Sequence, residues 1–275
     1  MARTTPIPWA HATFNGWIGC VEVSPACDNC YARGISQRFG YAKWGKDEPR
    51  RRTGADYWRQ PLRWDAEARR TGRRIRVFAF SMADVFEDRR DLDPWREDFF
   101  RLVEKTPNLD WLILTKRAEA MKRLLPPSWL KEPRPNVWLG VTAENQRRAE
   151  ERIPALFDVP AVVRWASVEP ILDHVDLSGF EGMLDWVVVG GESGRSARPT
   201  PISWVKHVIL QCRRTNIPVF VKQLGARIIG SFASRVCLKD PKGADPEEWT
   251  EDMRIREFPR ISEKLIHLEK SEVRS

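Results

Sequence analysis

No apolar run in this chain of 275 residues approaches the roughly 20 residues that span a bilayer. Residues 1–12 lack the charged-then-apolar order of a signal peptide. No stretch rich in glycine, serine or proline divides the chain into separate bodies. Membrane function is thereby excluded from the expectation, and a cytoplasmic location is expected. Histidine is scarce: His11, His174, His207 and His267 are scattered. Cysteine is scarce too, with five in all. In a reducing compartment, clustered thiols are read as ligands before they are read as disulfides.

Three of the five cysteines, Cys20, Cys27 and Cys30, fall within eleven residues. A closed structural zinc site wants a second ligand pair, and no other Cys-x-x-Cys or His-x₃-His occurs. Three readings stay open. One is a 4Fe–4S cluster with three thiolate ligands and one open iron. Another is zinc, with His11 or another residue as fourth ligand. The third is a set of reduced thiols with no metal. Cys212 falls on an apolar helical stripe and reads as core, and Cys237 stands alone near the C-terminus.

The net charge of +8 permits a polyanionic partner without demanding one. Ten arginines lie between Arg50 and Arg76, with Tyr57, Trp58 and Trp64 among them. Such a segment can contact a phosphate backbone while its aromatics stack on bases. Its competing reading is a solvated helix face, partly neutralised by Asp56, Asp65 and Glu67.

Short β-rich runs recur at Val77–Phe80, Trp111–Thr115, Val137–Val141, Ala161–Ala166, Trp186–Val189 and Pro218–Val221. They do not alternate apolar and polar, as expected of strands buried on both faces. An earlier strand is expected near Thr13–Trp17. Helices are expected over Pro94–Lys105, with Asp93 as cap, over Glu144–Leu156, with Asn145 as cap, and over Ile202–Thr215. Ile171–Leu184 is too irregular for a long helix. The expected fold class is α/β: a partial or full (β/α) TIM-like parallel barrel, with a doubly wound sheet as the alternative. Residues 1–225 would form the barrel. Residues 226–275 would be a C-terminal extension packing on or covering it, with Met253–Phe258 as a possible edge strand.

Parallel barrels build their chemistry where strands end. Here those positions are polar in nearly every unit: Ser81 and Asp84, then Thr115, Lys116 and Arg117, then Thr142 and Glu144, then Ser167 and Glu169, then Gly190, Gly191 and Glu192, then Lys222 and Gln223. The glycines of Gly190-Gly191-Glu192-Ser193-Gly194 would let backbone amides approach a carboxylate or phosphate. No Gly-Lys-Ser/Thr follows, so this is not a P-loop.

The run Phe14–Cys20, then Ser24-Pro25-Ala26-Cys27-Asp28-Asn29-Cys30-Tyr31-Ala32, resembles a phage- and prophage-associated, radical S-adenosylmethionine (SAM)-like three-Cys-motif family of unknown function. The resemblance continues through Ser81–Phe86, Leu114–Arg117, Leu139–Thr142, Ser167–Pro170, Gly190–Gly194, Phe220–Gly225, Lys242-Gly243 and Arg254–Pro259. It implies a radical SAM-type partial barrel, with a 4Fe–4S cluster held by Cys20, Cys27 and Cys30 and with SAM on the open iron. The superfamily's usual spacing is Cys-x₃-Cys-x₂-Cys with an aromatic residue before the last cysteine. Here six residues separate Cys20 from Cys27, and Tyr31 follows Cys30.

By position, the resemblance implies Ser81 and Asp84 at the SAM amino group and Lys116 or Arg117 at its carboxylate. Thr142, Ser167, Gly190, Gly191, Glu192 and Gln223 join them as candidate cofactor contacts. Lys116, Glu144, Glu169, Glu192 and Lys222 are the candidate catalytic residues, the last four facing SAM ribose or substrate. Implied partners are SAM, an electron-donor protein and a nucleic acid or nucleotide bound through the Arg50–Arg76 segment. The alternative class is a non-catalytic iron–sulfur or zinc protein that binds nucleic acid or a partner. The oligomeric state is left open.

Overall fold

The computed structural model describes residues 5–231 and 238–260. Cys237 and His267 lie outside them. Seven parallel strands form one curled sheet: β1 (Ala12–Phe14), β2 (Ile75–Ala79), β3 (Leu109–Thr115), β4 (Val137–Thr142), β5 (Val163–Val168), β6 (Trp186–Gly190) and β7 (Val219–Gln223). Their order in space is their order in the chain. The order never reverses, so the doubly wound alternative, which needs a switch point, does not apply. β1 and β7 are not paired with each other, which leaves an open half-barrel.

Helices fill most crossovers. α1 (Tyr31–Phe39) and α2 (Gln60–Thr71) separate β1 from β2, and α3 (Asp93–Glu104) precedes β3. α4 (Ala118–Leu124), α5 (Gln146–Phe157) and α6 (Ile202–Arg214) follow β3, β4 and β6. The β5–β6 crossover carries only the 3₁₀ turn Ser178–Phe180. Asn145 caps α5 by accepting from the Arg148 amide at 3.0 Å. Asp93 is the first residue of α3 rather than its cap, and its carboxylate pairs with Arg96.

The expected first strand breaks in two. After Phe14 the chain turns at Asn15-Gly16, and Trp17–Ile18 pairs antiparallel with Arg51–Arg52. Gly16 is needed there, because a Cβ would lie 2.8 Å from the Trp58 ring. At the other sheet edge the extension runs antiparallel to β7: the Val221 amide donates to Ile255 O at 2.8 Å and the Glu257 amide to Val219 O at 3.1 Å.

Alternation along the strands splits the sheet into two apolar faces. Trp111, Ile113, Leu139, Val141, Ala166, Val187, Val189 and Val221 pack with the helices. Phe78, Leu112, Trp138, Trp165, Trp186, Val188 and Phe220 face the hollow, which Trp9 plugs at the end opposite the strands' C-termini. Trp9 meets Phe78 and Trp165 edge-on, with centroids 4.6 and 5.4 Å apart. Phe258 of the extension stacks on Trp186 at 5.5 Å. The tryptophan-rich composition is spent largely on this core.

The inner layer sets one glycine. A Cβ on Gly140 would lie 2.3 Å from the Trp165 ring, which fills the space that a side chain on β4 would need. Gly140→Ala is expected to cost about 1–3 kcal/mol by overpacking, read as a lowered thermal midpoint; an unchanged midpoint would contradict this packing.

Candidate functional site

β1 runs into the cysteine loop, which lies across the C-terminal ends of the strands. Its entry is set by Gly19, at φ +113°, whose amide donates to Met82 O at 3.1 Å beyond β2. Beneath it, Arg50 is buried against Glu87, donating from Nε to Oε2 at 2.9 Å.

The Cys20 end is held from β3. Arg117 donates to Val21 O at 2.8 Å, to Cys20 Sγ at 3.6 Å and to Asp84 Oδ2 at 2.8 Å. Asp84 also accepts from Thr115 Oγ1 at 2.7 Å, from the Lys116 amide at 3.2 Å and from the Phe86 amide at 3.0 Å. Its hydrogen-bonding capacity is therefore taken up inside the protein, in fixing Arg117, rather than turned toward a SAM amino group. Burial pushes the Cys20 thiol up to about 12 against an opposing pull from Arg117, with Asp84 and Glu87 adding to the rise.

The Cys27–Cys30 end is held from the loop after β6. Pro25–Cys27 forms a 3₁₀ turn, and the Cys30 amide donates to Cys27 O at 3.2 Å. Arg198 donates to Pro25 O at 3.0 Å and pairs with Asp28 at 3.1 Å. It also holds Glu192, with contacts of 2.6 Å to Oε1 and 3.0 Å to Oε2. Asn29 donates to Glu192 Oε2 at 3.0 Å and to Ser196 O at 2.9 Å. Burial alone would raise the Glu192 carboxyl; hydrogen bonds from Arg198 and Asn29 outweigh it and hold the group below its usual value. Just past Cys30, Tyr31 donates to Ser81 O at 3.1 Å, and Asn15 donates to Ser81 Oγ at 3.1 Å.

Alternation sorts the remaining candidates. Thr142, Ser167, Gly190 and Lys222 continue the inward rows of their strands to the mouth. Lys222 pairs with Glu169 at 3.1 Å, and Ser167 donates to Glu169 Oε2 at 3.3 Å. Gly190 gives Glu169 its room, since a Cβ there would lie 2.8 Å from Oε1. Thr142 Oγ1 is buried with no hydrogen-bond partner. Lys116 is half-buried and makes no ion pair among the described residues.

Three candidates have other duties. Glu144 is wholly buried and pairs at 2.7 Å with Arg152 on α5, on the helix side of the sheet. The Gly191 amide donates to Gln223 O at 3.1 Å, and Gln223 Nε2 donates to Gly191 O at 2.9 Å. Gly191 and Gln223 therefore lock β6 to β7, which takes up the Gly191 amide.

In the Arg50–Arg76 segment most arginines are exposed, but some are engaged within the fold. Arg50 is buried, Arg52 pairs with Asp98 at 2.6 Å, and Arg74 pairs with Asp110 at 2.7 Å. Tyr57, Trp58 and Trp64 pack against the core, with Tyr57 stacked on Phe14 at 5.3 Å. All three are half-buried, and Trp58 lines a surface groove with Arg52 and Arg101. Arg198 and Asn29 were missed because neither belongs to a strand end. The only signal was Asn29's place inside the Cys-x-x-Cys spacing.

Three thiols on one held loop suit a soft metal or cluster in kind. In arrangement they do not form a closed sphere: among the described residues, no three Cys, His, Asp or Glu side chains converge as a metal-holding group. Among those residues also, no helix is long and apolar enough to cross a membrane.

A family model described as protein of unknown function (DUF5131) matches residues 4–254, so the chain belongs to that family. No curated protein and no solved structure matches it.

In metal-free protein the raised Cys20 pKa leaves little thiolate at pH 8. Iodoacetamide is expected to modify Cys20 at least about tenfold more slowly than a free cysteine, with the rate still climbing past pH 10. A rate that levels off near pH 9 would contradict the buried setting.

Proposed function

We propose that this DUF5131 member is an iron–sulfur enzyme of the radical SAM type that acts on a nucleic-acid base, a nucleotide or a related small molecule. One observation carries the reading: the loop bearing Cys20, Cys27 and Cys30 leaves the first strand of a parallel half-barrel and is tied to the segments after β2, β3 and β6. That is the end where barrels build their chemistry. Cys20, Cys27 and Cys30 would hold the cluster, which when bound would supply the single electron that cleaves SAM to methionine and a hydrogen-abstracting 5′-deoxyadenosyl radical. An electron-donor protein would supply that electron, and a cytoplasmic setting would keep the thiols reduced.

The chain's own residues suit the remaining tasks. Lys116, half-buried without an ion pair among the described residues, offers a cation to a carboxylate at the mouth. Thr142 Oγ1 offers a buried hydrogen-bonding atom whose capacity is unused. The Glu169–Lys222 pair sets an acceptor and a donor side by side, and Ser167 steadies Glu169. Arg117 and Arg198 orient the loop.

A second reading has its own support. Asp84, Glu144 and Glu192 are all spent on internal ion pairs, as expected if the loop is a structural metal site in a non-catalytic binding protein.

Anaerobic reconstitution with iron and sulfide separates the two. Absorbance near about 400 nm is expected, lost on replacing any one of the three cysteines with alanine. Dithionite and SAM should then yield 5′-deoxyadenosine. Zinc retained through purification with no cluster formed would overturn the enzyme reading, and a cluster that leaves SAM intact would favour the second.

A further inference from the structure

α1 begins directly after Cys30, and its outer face is aromatic. Tyr31, Ile35 and Phe39 recur at the four-residue spacing that lines up one face of a helix, and Tyr41 follows. Their exposures are 51%, 39%, 57% and 39%, and they account for four of the nine large hydrophobic residues exposed among the described residues. Phe39 and Tyr41 stack on each other at 5.6 Å with planes 21° apart. On the adjoining face, Ala32 and Ser36 are buried. An isolated exposed apolar residue needs no explanation, but a contiguous aromatic stripe does.

The sequence that carries and follows the stripe is rich in positive charge. From Tyr31 to Arg52 the chain carries seven Lys and Arg against two acids, Asp47 and Glu48. Arg50 is buried and Arg52 is paired with Asp98, but Arg38, Lys43, Lys46 and Arg51 are exposed. Arg38 lies 5.5 Å from the Phe39 ring centroid, and Arg51 donates to Tyr41 O at 3.1 Å. Exposed aromatic side chains beside flexible cations match a single-stranded nucleic acid, whose bases can stack on them while its phosphates meet the cations. A duplex hides its base faces, and an apolar protein partner would leave this charge unmatched.

We infer that α1 and the segment to Arg51 form a binding surface for single-stranded nucleic acid, stacking on Tyr31, Phe39 and Tyr41 and contacting Arg38, Lys43 and Arg51. The surface starts one residue from the cysteine loop, so a bound strand runs past the mouth. This deepens the proposed function by choosing nucleic acid as the substrate class. Binding needs no cluster, so the two proposals can fail separately.

The test is fluorescence anisotropy on the full chain with labelled oligothymidylate and oligouridylate of about 15 nucleotides, and with a duplex of the same length. At about 50 mM salt the single strands are expected to bind better than the duplex, with affinity falling as salt rises. Phe39→Ala with Tyr41→Ala should weaken binding about tenfold or more, and Phe39→Trp should retain it. Arg38→Glu with Lys43→Glu should weaken binding and flatten its salt dependence. Glutamates at Arg69, Arg70 and Arg73, at the other end of the half-barrel, should leave it unchanged. All replaced residues are exposed, and thermal midpoints check that each variant is folded. No binding by the wild-type chain, equal binding by the double alanine variant, or a loss from the Arg69, Arg70 and Arg73 changes as large as from the stripe would overturn the proposal.

Discussion

Two arginines reaching onto one loop are the constraint on which the site depends. Arg117 ties the Cys20 end to β3, and Arg198 ties the Cys27–Cys30 end to the segment after β6. Each arginine is itself fixed by a carboxylate, Asp84 for the first and Glu192 for the second. A backbone carbonyl accepting from a guanidinium is a strong, directional restraint, and the carboxylate behind it keeps a partly buried charge compensated. Together they span the mouth of a sheet that is open between β1 and β7. The loop thereby bridges strand ends that are not neighbours in the sheet.

This arrangement explains why so much polar chemistry at the strand ends is inward-looking. Asp84, Thr115 and Arg117 form one network and Glu192, Asn29 and Arg198 another, both committed to loop position. What is left at the mouth is a smaller set: Lys116, Thr142, Ser167, Glu169 and Lys222. Gly190 contributes by having no side chain, since Glu169 occupies the space beside it. Catalytic roles, if the loop carries a cluster, fall to this smaller set.

The parallel sheet was legible because its strands read as largely apolar, non-alternating runs at recurring intervals, and the observed strands lie within two or three residues of those runs. The polar residues following them were legible for the same reason. Which way each points was not. Glu144 turns to Arg152 on α5, whereas Thr142, two positions earlier, continues the inward row, and no spacing rule separates the two once the strand has ended. The break at Asn15-Gly16 was hidden because the need for glycine comes from Trp58, forty-two positions away in sequence. In the Arg-rich segment, composition could not say how far Tyr57 and Trp58 are covered: both are half-buried against the core. Tyr31, Phe39 and Tyr41, on α1 and just past it, are more exposed.

The clamp is most directly tested by amide hydrogen exchange across residues 20–30 in the metal-free chain. If Arg198 holds the turn, Arg198→Ala should speed exchange at residues 24–30 by about tenfold or more while the strand amides stay as protected as before. Exchange at those residues unchanged from the wild type would mean that the loop holds its place without the arginine, contradicting the dependence on which the site rests.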